Sequence, residues 1–182
     1  MPDSGVNALS GLPGAFCRPG KRSATGQYMP VFSCNCAREA ILTTTQPLPH
    51  ILLLTHGGWG QPLCNSLRMV TGEIKGVTEI ALMPVDTLGE FYQRVEAVVK
   101  TLPEGSLILT DFVGGTTSNV AARLSADYPV AVIAGLNASL LLEALDRREQ
   151  GMLTACVDEL VEAGRSSCLD VVAHVRQLQQ SL

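Results

Sequence analysis

The sequence predicts an α/β domain: a doubly wound, mainly parallel sheet of strand order 2-1-3-4 with helices on both faces. Three observations lead there. From residue 51 onward, short apolar runs alternate with segments of three- and four-residue apolar spacing, the pattern of βαβ units. Two of the runs, Ile51-Leu52-Leu53-Leu54 and Leu107-Ile108-Leu109, are apolar without alternation, as strands buried on both faces must be. Each of these two runs passes through a threonine to a chemically capable side chain, His56 or Asp111, and then to glycines.

The elements follow in order. Residues 1–49 are rich in Gly, Pro, Ser and Thr and hold no sustained period, so they read as an N-terminal extension, poorly ordered or a start-site artefact, ahead of a domain at 50–182. Within the extension, residues 28–34 have strand character and 36–42 suit a helical turn. The first strand takes residues 51–55. Pro62 suits the first turn of the helix that follows, and Gly72 its end. The second strand takes 78–83. Thr87 opens the next helix with a capping box, because Glu90 lies three residues on and can accept from the Thr87 amide. Leu88, Phe91, Val95, Val98 and Leu102 repeat at helical spacing and predict its buried stripe. The third strand is 107–110, followed by a glycine turn and a helix to about residue 127. The fourth is 130–134, leading to Gly135 and a helix near 139–149. A helix near 153–163 comes next, and the apolar stretch 168–172 predicts a fifth strand.

Composition narrows the function classes. A chain of 182 residues, 46% hydrophobic and 16% charged, supports one domain with a sizeable core and excludes disorder over its whole length. A net charge of −4 without Lys/Arg runs argues against a nucleic-acid partner. No segment reaches the about 18–20 apolar residues that cross a bilayer. The N-terminus lacks a basic start before an apolar core, so no secretory signal is expected and a cytoplasmic location is. Cys64, Cys156 and Cys168 fall in predicted elements and read as small buried hydrophobes with reduced thiols. Cys34-Asn35-Cys36 with Cys17 has the wrong spacing for zinc, so no metal site is expected.

His56 and Asp111 carry the chemistry. Both stand where a buried strand runs out into a glycine turn, the carboxyl edge at which open α/β sheets bind ligands. If the first and third strands are neighbours, the two side chains meet at the switch-point crevice. A carboxylate that accepts from one ring nitrogen fixes the tautomer and exposes the lone pair of the other. It also stabilises the positive charge that develops as that nitrogen attacks. Gly57 lets a bulky anion approach the backbone, and Gly114, Gly115 and Thr116 lead into a helix N-terminus whose amides favour an anion. A strand-terminal histidine, a turn-capping aspartate and a Gly-Gly turn each have a plain structural reading when taken singly. Placed together after two strands, they suggest phosphoryl transfer through a phosphohistidine, with no metal or other cofactor required.

Other residues read as structural. His50 precedes the first strand, at the edge opposite His56, and reads as a solvated loop residue. His174 falls in the polar tail and reads as exposed. Trp59 suits a core or interface role, and Glu143 a helix surface.

Thr55-His56-Gly57, the stretch from Asp111 to Thr116, Asn119-Val120-Ala121, Gly135-Leu136-Asn137 and the tail Ala163-Gly164-Arg165 together resemble the mannose-family enzyme IIA of the bacterial phosphoenolpyruvate:sugar phosphotransferase system. The resemblance covers about residues 51–172. It implies a doubly wound α/β domain that forms a homodimer, with residues 168–172 as an antiparallel strand exchanged into the partner's sheet. It implies that His56 is the phosphorylated histidine, through Nε2, that Asp111 holds Nδ1, and that Thr116 is the hydroxyl near the phosphoryl group. The donor would be phosphorylated HPr and the acceptor a cognate IIB component, which serves sugar uptake through IIC and IID membrane proteins. The protein would then be cytoplasmic, or peripheral to the inner membrane through that complex. The sequence departs from the family pattern in the extra glycine of His56-Gly57-Gly58-Trp59, in Thr117 where proline is common, and in Ala138-Ser139. Three other functions compete with this reading: a regulatory phospho-acceptor domain; the phosphoryl donor subunit of dihydroxyacetone kinase systems, similar around the histidine but usually without the turn at Gly114-Gly115-Thr116; and a small-ligand-binding module in which His56 is never phosphorylated.

Overall fold

The computed structural model of the chain describes residues 47–180. Four strands, β1 (Ile51–His56), β2 (Val77–Leu82), β3 (Leu107–Thr110) and β4 (Ala131–Ala134), form an all-parallel sheet of order β2-β1-β3-β4. The helices are α1 (Gly60–Thr71), α2 (Leu88–Val99), α3 (Thr116–Leu124), α4 (Ala138–Glu149), α5 (Val157–Ser166) and α6 (Val171–Gln180). Fold class and strand order are those expected from the sequence.

Strand alternation sorts the core into two layers. Ile51, Leu53, Leu107 and Leu109 point to one face and pack with residues of α1, α4 and α5, among them Cys64, Leu67, Leu141, Ala144 and Leu160. Leu52, Leu54 and Ile108 point to the other and meet Phe91, Val95, Val120 and Leu124 from α2 and α3. A strand covered on both faces has no polar side to present, which is why β1 and β3 are unbroken apolar runs.

Helix α1 has no capping side chain of its own. The Glu79 carboxylate, from β2, takes that place: it accepts from the amides of Gly60 and Gln61, each at 2.7 Å, and from the Thr55 hydroxyl. Helix α2 starts with the expected capping box, in which the Glu90 amide donates to the Thr87 hydroxyl and the Thr87 amide to the Glu90 carboxylate. Its buried stripe differs from the expected one. Phe91, Val95 and Val99 follow one another at four-residue spacing and are buried, whereas Leu88, the first helical residue, is 62% exposed. Val98 and Leu102 pack at the margin of that core.

The C-terminal segment also differs. Helix α5 begins at Val157, four residues later than the helix expected near 153, although Leu153 and Cys156 are buried all the same. The expected fifth strand at 168–172 does not form. Cys168, Leu169 and Asp170 are irregular, and α6 starts at Val171. A five-residue apolar window does not reveal the period that Val171, Val175 and Leu178 share, spaced four and three residues apart on one helical face. The compact unit holding the sheet runs to Asp170; α6 lies outside it and contains no buried residue. Cys168 is exposed rather than buried, and Cys64 and Cys156 are buried as expected. The stretches 28–34 and 36–42, with Cys17, Cys34 and Cys36, lie outside the described residues. No helix among the described residues is long and apolar enough to cross a membrane.

Candidate functional site

Strands β1 and β3 are paired in parallel with Leu54 opposite Thr110, so the residues that follow them leave the sheet side by side. This brings His56 and Asp111 together. Asp111 Oδ2 accepts from the His56 backbone amide at 2.8 Å and lies 2.7 Å from His56 Nδ1. Its other oxygen, Oδ1, accepts from the Phe112 amide at 3.0 Å and from the Thr117 hydroxyl at 2.8 Å. The Asp111 side chain is 4% exposed and that of His56 36%, so the carboxylate lies beneath the ring and the ring faces outward.

Burial alone would push the Asp111 carboxyl up. The bonds from the His56 amide and ring, the Thr117 hydroxyl and the Phe112 amide outweigh it and hold the carboxyl below its ordinary value. An ionised carboxylate only accepts, so His56 Nδ1 must carry the proton that faces it. In the neutral ring the lone pair then sits on Nε2.

The glycines shape the rest. Gly57 and Gly58 have φ of +71° and +77°, a left-handed pair that turns the chain sharply after the strand, and the Gly57 amide donates to the Leu82 carbonyl at 2.9 Å. The Phe112 ring stacks on His56 with centroids 4.8 Å apart and planes 11° from parallel. Gly115 makes room for that stack: a Cβ there would lie 2.6 Å from Phe112 Cε2 and 3.2 Å from His56 Cε1. Gly114, at φ +82°, turns the chain into α3, whose N-cap is Gly115 with no capping side chain. Thr116, half-buried, is the first residue of α3.

Two helices therefore start near this edge, α1 after β1 and α3 after β3, and they differ. The first amides of α1 are taken by the Glu79 carboxylate, while those of α3 are offered no side-chain cap. An anion brought to His56 meets partial positive charge at α3. The arrangement can hold an imidazole in one tautomer, present its Nε2 outward and receive an anion beside it. Among the described residues no group of three His, Cys, Asp or Glu side chains is placed to hold a metal ion.

Sequence reasoning missed three residues here. Thr117 anchors Asp111, yet nothing in Thr116-Thr117 distinguishes the hydroxyl that turns inward. Phe112 stacks on the ring, although an aromatic directly after a strand-end aspartate was a usable signal. Glu79 caps α1, and a lone carboxylate inside the predicted strand 78–83 could have been asked what it binds.

The residues expected to be structural need some correction. His50 does lie at the opposite edge, but it is half-buried rather than solvated. Its amide donates to Ser106 Oγ at 2.9 Å and its Nε2 stands 3.0 Å from Thr78 Oγ1, tying β1 to its neighbours. Burial, and then the Arg148 charge, lower its pKa. His174 is half-buried on α6 rather than exposed. Glu143 is more than a surface residue: it pairs at 3.0 Å with Arg147, 3% exposed, which also pairs with Glu159, so that a buried guanidinium joins α4 to α5. Trp59 occupies the N-cap position of α1 and is 39% exposed.

Comparison with known proteins adds the following. A family model described as PTS (phosphotransferase system) fructose IIA component matches residues 50–161. The PTS system fructose-specific EIIA component of Bacillus subtilis (strain 168) is 26% identical over 132 residues, 71% of this chain and 90% of that protein. Among solved structures, a phosphotransferase system component EIIA from Streptococcus agalactiae is 26% identical with a TM-score of 0.63, covering 68% of this chain and 98% of that one. The mannose/sorbose specific IIA subunit from Enterococcus faecalis is 27% identical with a TM-score of 0.61, covering 68% and 94%.

Proposed function

This chain belongs to the phosphotransferase-system fructose IIA component family, and from that premise we propose that it carries a phosphoryl group on His56 between two partner proteins. The donor is the phosphohistidine of HPr and the acceptor a cognate IIB component, in the service of sugar uptake through IIC and IID membrane proteins. The protein works in the cytoplasm, or at the inner membrane's surface through that assembly. Residues 50–182 form the transfer domain, as a homodimer, and residues 1–49 are a dispensable extension.

The observation that carries this reading is the His56–Asp111 pair at 2.7 Å beside the open N-terminus of α3. In the first step the lone pair of His56 Nε2 attacks phosphorus. The phosphorus–nitrogen bond of phospho-HPr breaks, its electron pair returns to the donor ring, and a new bond to Nε2 forms. The Nδ1 proton stays in place, so positive charge grows on the ring next to the Asp111 carboxylate. The first amides of α3, with Gly114, Gly115 and Thr116, receive the phosphoryl oxygens, while Gly57, expected to bind them too, has its amide engaged by the Leu82 carbonyl and only leaves room for the group to approach. The second step is the same displacement by the IIB nucleophile. Bond types are alike on both sides, so the protein contributes positioning and electrostatic support. Exposed apolar side chains near the ends of β1, β2 and β3 (Trp59, Met83, Val85, Phe112 and Val113) suit docking by proteins.

The test is phosphate transfer from phosphoenolpyruvate through enzyme I and HPr, with acid-labile, base-stable phosphate mapped by mass spectrometry. Phosphate on His56, absent in His56→Ala and removable by the cognate IIB, supports the carrier role. Phosphate that the cognate IIB never removes points to regulation. No phosphate, with a control IIA labelled in parallel, overturns the proposal.

A further inference from the structure

We propose that Thr117 is a positioning residue for the phosphoryl acceptor, acting on His56 through Asp111. This rests on the assignment of His56 as acceptor. The Thr117 side chain is fully buried, and its hydroxyl donates to Asp111 Oδ1 at 2.8 Å. The Phe112 amide donates to the same oxygen at 3.0 Å. With two donors on Oδ1, the carboxylate plane is set, and Oδ2 is left entirely to His56, at 2.8 Å from its amide and 2.7 Å from Nδ1. A carboxylate turns readily about its terminal torsion, whose wells are broad and roughly two-fold. One donor on Oδ1 restrains that turn weakly; two donors from different directions hold it.

The origin of the second donor matters. Thr117 is the second residue of α3, the helix whose uncapped start faces the site. One helix turn thus presents free amides on its outer side and grips the carboxylate from its inner side. Proline, common at this point in the family the sequence resembles, is tolerated in a helical first turn but has no hydroxyl to offer. The chemical effect of the second donor is to keep Asp111 an acceptor, which keeps the proton on Nδ1 and the lone pair on Nε2.

A buried hydroxyl needs a partner in any case, so loss of stability alone would not separate positioning from plain satisfaction. The experiment uses the full chain with Thr117→Val, which keeps the shape and removes the donor, and Thr117→Ser, which keeps the donor. Three readouts are taken: the Asp111 carboxyl titration by carbon NMR, the His56 tautomer by nitrogen NMR, and kcat and KM for transfer from phospho-HPr. Thr117→Val is expected to raise the Asp111 midpoint, to introduce the Nε2–H tautomer, and to lower kcat about tenfold while KM stays within about twofold. Thr117→Ser restores all three. A Thr117→Val protein whose carboxyl titration and tautomer match the wild type overturns the proposal.

Should Thr117→Val not fold, Thr117→Ala takes its place with the same readouts: a raised Asp111 midpoint and a new Nε2–H tautomer support the proposal, and wild-type values of both overturn it. The titration and tautomer need no phosphate. A wild type that takes none on His56 removes the acceptor role, while these two readouts still decide what Thr117 does to Asp111.

Discussion

Replacing Asp111 with asparagine tests the site at the point where most of it converges. The two oxygens of Asp111 serve four donors: the His56 amide and Nδ1–H on Oδ2, the Phe112 amide and Thr117 hydroxyl on Oδ1. Asparagine is nearly the same shape but has one oxygen and one NH2 group, so one side of the pair must face donors with a donor. If the NH2 faces His56, it donates to Nδ1, the ring proton moves to Nε2 and the nucleophile is lost. Inverting the tautomer of an Asp–His pair in this way costs about 10⁴-fold in the serine-protease triad. If the NH2 faces outward, the Thr117 hydroxyl can rotate and accept, but the Phe112 amide is orphaned at about 1–3 kcal/mol. For a chain of this size that lowers Tm by roughly 2–4 °C per kcal/mol. Single-turnover transfer from phospho-HPr, thermal unfolding and nitrogen NMR of His56 read the three quantities. Asp111→Asn is expected to transfer at least about a hundredfold more slowly, since even the outward amide removes the charge facing the imidazolium. Wild-type transfer with an unchanged Tm would refute the argument.

Three further outcomes follow from the same geometry. Asp111 has a folded pKa below its unfolded value, so its contribution to stability is complete above the unfolded carboxylate pKa, about 3.9, and is lost as pH falls through the lower folded value. The Tm gap between wild type and Asp111→Asn should therefore narrow below about pH 4, and a gap that widens there would contradict the sign. His50, held neutral by burial and Arg148, acts in a separate window: its contribution is present above about pH 6.5 and declines as pH falls, so His50→Asn should flatten unfolding curves between about pH 5 and 7. Gly115→Ala adds a Cβ only 2.6 Å from Phe112 Cε2, on a ring that is 52% exposed and free to swing away. Since φ at Gly115 is −77°, no backbone strain is added, and stability should change by less than about 1 kcal/mol while transfer slows; equal transfer would take the ring stack out of the mechanism.

Legibility in the sequence tracked how local each cause is. The strands β1 and β3 were readable because two-sided burial leaves an apolar run that nothing else explains. The capping box of α2 was readable because Thr87 and Glu90 are three residues apart and each bonds the other's backbone amide. The pairing of His56 with Asp111 was inferred from strand order, and the β1–β3 register brings them together. What escaped depends on partners far apart in sequence. Glu79 caps a helix that begins nineteen residues earlier, and only the β1–β2 pairing brings it there. Thr117 and Thr116 are the same residue type side by side, and the rotation of α3 alone decides which one turns inward. The tail differs for the opposite, local reason: the five residues 168–172 are too short a stretch to separate a strand from the start of a helix.

Glu79 also explains why one helix start at this edge is open to an anion rather than two. Helices α1 and α3 both begin just past a central strand, and each start carries partial positive charge from its unpaired amides. Glu79 spends its carboxylate on Gly60, Gln61 and Thr55. That neutralises α1, leaving α3 as the start that would receive the phosphoryl group in the proposed transfer. Glu79→Ala should then do two things. It should cost about 1–3 kcal/mol, because two helix amides and the buried Thr55 hydroxyl lose their acceptor. It should also make inorganic phosphate or sulfate a stronger stabiliser of the fold, since a second helix start is now open to an anion. Melting temperature against sulfate concentration measures both at once, with sodium chloride at matched ionic strength as the control. A variant as stable as the wild type, with the same sulfate response, would mean that the carboxylate is not what closes α1.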